Sequence, residues 1–160
     1  MPNTQAIGVA YADPEFQSVN VTGALTAGSV SSASVNVTGE ATAADIYASD
    51  ELGYTSAAQG AVTQLTSKST GVTLNTSMGR ITMNNAALAT VTSVTFTLTN
   101  NKISSNDVVT VSVSGGGTAG AYWPFVASQA TGSAVIGLYN NSGGSLSEAV
   151  IINFCVIHGV

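Results

Sequence analysis

Charge is what this chain has least of. Aspartate, glutamate, lysine and arginine make up only 7% of its 160 residues, against roughly a quarter in an average soluble protein. Exposed faces must therefore be carpeted with Thr, Ser, Asn, Gly and Ala, a surface that suits a particle component better than a freely diffusing enzyme. Only three basic residues occur: Lys68, Arg80 and Lys102. Nucleic-acid binding relies on Lys and Arg to neutralise phosphates, and three cannot make a patch. Nucleic acid is excluded as a partner. One cysteine, Cys155, lies inside an apolar run and cannot staple the fold. It reads as a small core residue. One histidine, His158, has no second histidine and is read as having no nearby carboxylate, which rules out a triad or a multi-histidine metal site within one chain. No metal and no cofactor is expected. The carboxyl-terminal two thirds hold only two acids, Asp107 and Glu148, too few to expect a glycosidase pair. Gly115 to Gly117 lacks the following Lys-Ser/Thr of a phosphate loop. The chain reads as a non-enzyme. No charged-then-apolar leader and no run of membrane-spanning length is found, so neither export nor a membrane partner is expected.

What is abundant is repetition. Ser18-Val19-Asn20-Val21-Thr22-Gly23-Ala24-Leu25-Thr26-Ala27 and Ser34-Val35-Asn36-Val37-Thr38-Gly39-Glu40-Ala41-Thr42-Ala43 match at eight of ten positions, sixteen residues apart. Each reads as a short alternating strand, a Gly turn and a second strand. The largest side chain in either is Leu25, so neither copy can close a core, and an isolated two-stranded unit in water is marginal. Such units become stable when other copies cover them. With only two repeats present, sister chains are the expected cover, and residues 18–56 are predicted to form a short intertwined β stalk and connector in a homotrimer. Val21, Leu25 and Val37 are its candidate interface residues. Ala41 to Leu52 is compatible with a helical turn.

Residues 1–17 are predicted to be an extended docking arm. Pro2 and Pro14 oppose regular helix, while Ile7, Val9, Tyr11 and Phe16 are buried-type side chains without a local core. These four are the candidate docking residues. Acidity is concentrated in the same half: residues 1–60 hold six acids and no base. A solvated stalk explains this, as does docking onto a basic partner surface.

From residue 57 to residue 160 the pattern becomes ordinary globular β structure. Val94, Phe96 and Leu98 alternate with Thr95, Thr97 and Thr99, as do Val109, Val111 and Val113 with Thr110 and Ser112. Ala134, Ile136 and Leu138 form a third such row. Tyr122, Trp123 and Phe125 cluster around Pro124, which marks an edge or bulge. Gly- and Asn-rich turns separate these runs. The pattern predicts an antiparallel, jelly-roll-like β-sandwich. The final run, Ala149 to Ile157, is apolar on both faces apart from Asn153, as expected of a strand covered on both sides. Ile151 and Phe154 therefore join the candidate trimer-interface residues. Tyr122 and Trp123 form a candidate sugar-stacking platform, core or interface packing being the alternative.

A family resemblance attaches to this half. Gly60 to Gln64, Thr66 to Asn75, Gly79 to Met83, Gly116 to Tyr122 and Gly144 to Ala149 leading into Ile151–Gly159 together resemble a carboxyl-terminal module of tailed-bacteriophage virion proteins, among them fibre and decoration proteins. The resemblance spans residues 54–160, and the Val-Asn-Val-Thr-Gly repeats are similar to trimeric phage-fibre stalks. It implies a homotrimeric structural protein of the virus particle, with no catalytic residues to carry over. At 160 residues the chain is short for a tail fibre. The resemblance therefore points to a capsid decoration (cement) protein or short head fibre, made in the host cytoplasm and placed on the outer capsid surface. Its expected partners are itself and the major capsid protein. The alternative is a tail-fibre tip or receptor module that binds a host surface glycan.

Overall fold

The computed structural model describes residues 22–159. The chain divides into two units, one ending at Tyr47 and one running from Ala48.

In the first unit, the described residues carry neither strand nor helix, and every one is exposed. The strands expected in the Val-Asn-Val-Thr-Gly repeats are thus not formed over 22–43, nor is a helical turn over 41–52. The physical reason lies in composition. Apart from Leu25, the repeats bring valines and small residues to their faces, which is too little apolar area to offset the entropy of fixing the backbone within one chain.

The second unit is a two-layer β-sandwich. A single 3₁₀ turn, Ser56–Ala58, leads into β1 (Gln59–Thr63), followed by β2 (Val72–Thr73), β3 (Met78–Thr82), β4 (Thr92–Thr99), β5 (Val108–Gly115), β6 (Tyr122–Ala130), β7 (Ser133–Asn140) and β8 (Ile151–Ile157). One sheet has the order β1-β3-β8-β5 and the other β2-β4-β7-β6. The sheets are mixed, not purely antiparallel as expected: β1 pairs with β3 and β2 with β4 in parallel. From β1 to β6 the chain crosses to the other sheet after every strand. In β1/β3 and β2/β4, strands two crossings apart become neighbours running the same way, whereas β8 and β7 insert between the later pairs. The one hairpin joining adjacent strands, β6–β7, turns at Thr131-Gly132, where Gly132 takes φ +84°.

Alternation in the sequence maps onto the two faces. Phe96 and Leu98 of β4, Ala134, Ile136 and Leu138 of β7, and Ile152, Phe154 and Val156 of β8 are buried between the layers with Ile81 and Met83. Phe154 is therefore a core residue, correcting its assignment to a trimer interface. It stands opposite Gly79, where an added Cβ would lie 2.7 Å from the Phe154 ring and 2.6 Å from Leu74. The outward row of β8, Ile151, Asn153, Cys155 and Ile157, is only partly covered or exposed. Cys155 is accordingly not a core residue.

Candidate functional site

The outer face of the β2-β4-β7-β6 sheet carries the largest exposed aromatic surface of the sandwich. Successive strand residues point to opposite faces, so Tyr122 and Trp123 separate. Tyr122 turns inward and is buried beside Gly117. Its hydroxyl makes no hydrogen bond of normal geometry, and burial, with the Glu148 carboxylate nearby, raises its pKa well above the usual phenol value. A Tyr122–Trp123 platform is thereby corrected: only Trp123, 58% exposed, reaches solvent.

Trp123 gains other neighbours through register. It pairs with Tyr139 of β7, with ring centroids 6.1 Å apart and planes inclined at 39°. Two residues on, Phe125 pairs with Gly137, where an added Cβ would fall inside contact distance of the Phe125 ring. Phe125 thus lies over a glycine, with 37% of its surface open. Tyr139 and Gly137 pair on their other side with Ser93 and Thr95 of β4, and Thr97 and Thr99 continue that hydroxyl row. A strip of three aromatic rings beside a row of hydroxyls can stack on a flat, weakly polar ligand and hydrogen-bond to its rim. Pro124 sits on β6, an edge strand with a register shift between Val126 and Ser128, as its inability to donate to a ladder requires. Tyr139 was not singled out from sequence, because only the β6–β7 register brings it to Trp123.

The other expected residues are dispersed. Leu25 and Val37 are exposed in the first unit, and Ile151 lies on the outer face of the opposite sheet, half-buried. Val21 and the arm residues Ile7, Val9, Tyr11 and Phe16 lie outside the described residues.

The titratable groups serve the fold. His158 does acquire a carboxylate, correcting the sequence reading: Asp107 Oδ2 lies 3.1 Å from its Nδ1. Asp107 also accepts from the Ser104 amide (2.7 Å) and hydroxyl (2.8 Å) and from the Gly159 amide (3.1 Å). The Ser104 hydroxyl therefore points at the carboxylate and not at the imidazole, which is not a nucleophile-base arrangement. Glu148 is held by the Thr118 amide and hydroxyl. Lys68 is buried, its ammonium donating to the carbonyls of Asn84 and Glu148; burial pushes its pKa down, with Glu148 opposing. Among the described residues no group of three or more His, Cys, Asp or Glu side chains could hold a metal ion.

Asp107 yields a pH prediction. Its donors, the Ser104 amide foremost, lower its pKa from 3.8 to about 2. A carboxyl held below its unfolded value adds stability above that value and loses it as pH falls through the folded one. The loss is expected between pH 3.8 and about 2. Asp107→Asn should lower stability at neutral pH and flatten the acid-unfolding curve across that window. An acid curve identical to that of the parent would contradict the assignment.

No protein-family model, curated protein or solved structure matches this chain.

Proposed function

We propose that this protein is a non-enzymatic component of a tailed-bacteriophage particle, a homotrimer that decorates the outer capsid shell. One observation carries the reading. Residues 22–53 form no regular structure and leave Leu25, Val30, Val35, Val37, Ile46, Tyr47 and Leu52 more than half exposed. Thirty-two consecutive residues with such side chains, attached to a well-packed sandwich, are suited to being covered by other chains. Sister copies of the repeat supply one cover and a shell surface another. The setting rests on the resemblance, read from sequence motifs alone, of residues 54–160 to a module of phage virion proteins.

The mechanism is mechanical. Segments laid over the shell add contacts that must break before capsomers separate, which stabilises the assembled state by mass action. Three linked chains bind with avidity where one would be weak. Co-sedimentation of the full-length protein with particles lacking it tests the proposal. Saturable binding in multiples of three copies is expected; absence of binding would overturn it.

The Trp123–Tyr139–Phe125 strip favours a second reading, a receptor module whose ligand is a host surface glycan. Aromatic stacking on a sugar is lost on truncation, so Trp123→Ala should reduce glycan retention on an array by about tenfold or more while leaving the fold intact. Retention unchanged by Trp123→Ala would remove this face from consideration.

A further inference from the structure

The outer face of the β1-β3-β8-β5 sheet gathers three features that one chain leaves unsatisfied. The first is apolar. Register sets Met78 beside Cys155 and Val108 beside Ile157. The chain ahead of β1 passes over this end of the sheet, where the Tyr54 hydroxyl donates to the Val156 carbonyl at 2.5 Å. Leu52, Gly53 and Tyr54 thereby form, with Met78, Cys155 and Ile157, a cleft of about 640 Å³. Its apolar rim is open: Leu52 is 85% exposed and Ile157 55%, and the adjoining Val108 is 57% exposed.

The second feature is a cation. Arg80 lies one row from Met78, opposite Asn153, exposed and without a carboxylate at ion-pair distance among the described residues. The third is a pair of anions. Asp50 and Glu51 directly precede Leu52, are exposed, and likewise have no cationic partner among the described residues.

An apolar cleft flanked by a cation and by anions that do not pair with one another within the chain can be self-complementary. The cation of one copy can pair with the anions of the next while each apolar cleft covers the other. Homo-oligomers associate through such patches, whether by a two-fold contact or by a closed ring. Charge this scarce makes a chance coincidence of opposite signs around one apolar cleft a poor explanation. A partner of different sequence would need both signs placed to match, whereas a second copy carries them already.

We propose that this sheet face is the contact between copies of the chain, with Arg80 of one copy paired to Asp50 and Glu51 of its neighbour and Leu52 seated against the apolar cleft. The inference rests on the homo-oligomer reading above and deepens it by naming the surface. It places outward-facing Ile151, Cys155 and Ile157 near the contact and leaves Phe154 in the core.

Charge reversal tests it on the full-length protein, with mass read by sedimentation equilibrium and native mass spectrometry. The parent is expected to be an oligomer of the 15.9 kDa chain. Arg80→Glu sets like charges together and should weaken association by about 100-fold, shifting the population towards single chains. Asp50→Arg with Glu51→Arg should do the same, and the three changes combined should restore the oligomer. Leu52→Asp, at a site too exposed to affect folding of the sandwich, is an independent variant with the same expected loss. A parent oligomer indifferent to Arg80→Glu and to Leu52→Asp would overturn this contact while leaving the homo-oligomer standing. Failure of the combined variant to reassociate, with its circular dichroism unchanged, would overturn the pairing. A parent that is a single chain at every concentration would overturn both.

Discussion

Phe154→Ala is expected to destabilise the sandwich by about 3–5 kcal/mol, the usual cost of removing a large buried aromatic side chain. The ring fills the space left by Gly79 on the neighbouring strand and meets Leu74 there. It is 2% exposed, in the inner row with Ile152 and Val156. Gly79 has no side chain to move into the vacated volume, so the site cannot collapse easily and the loss should fall at the upper end of the range. Urea unfolding of variant and parent at matched concentrations reads the difference. A shift in oligomer mass without a change in stability would contradict the core assignment and return Phe154 to an interface. Gly79→Val should be comparably damaging, since its Cβ would strike the same ring.

Deletion of residues 2–17 is expected to abolish shell binding without unfolding the sandwich. Every strand of the sandwich lies between Gln59 and Ile157. In sequence they combine Ile7, Val9, Tyr11 and Phe16 with two acids, Asp13 and Glu15, and no base, the composition of a segment that lies against another surface. If three arms bind together, removing all of them forfeits avidity as well as contact, a loss of about 100-fold or more. Co-sedimentation with shells measures the loss, and circular dichroism checks that the β signal persists. Full binding by the truncated chain would remove the arm from the mechanism and direct attention to the two sheet faces.

How far the sequence foretold the fold depends on the range of the interactions involved. Strands with strict alternation were legible: Val94, Phe96 and Leu98 against the Thr row, and Ala134, Ile136 and Leu138, fall on the faces expected of them. Pro124 on an edge strand with a register shift was legible too, because a missing N–H allows few alternatives. The parallel pairs were not, since strand direction follows from which sheet the chain enters next and no local pattern encodes that. Ile151 to Ile157 illustrates the same limit. Its apolarity on both faces was plain, but only the register shows that Ile152, Phe154 and Val156 face the core while Ile151, Cys155 and Ile157 face out. The aromatic strip depended on a partner strand, Tyr139 reaching Trp123 through the β6–β7 ladder. Asp107 and His158, 51 residues apart, meet for a comparable reason. The repeats show the converse: a strand pattern is legible, but over 22–43 no strand forms, the small side chains being unable to sustain one in a single chain.

Copy number per particle tests the proposed role most directly. Purified virions would be analysed by quantitative mass spectrometry, with this protein counted against the major capsid protein. Copies on the scale of the capsid subunits, in a multiple of three, are the expected result and would place the protein on the shell. A small symmetric handful would contradict shell decoration and put it in a fibre or tail, with the Trp123 face as its working surface. Absence from the particle would contradict a virion role altogether.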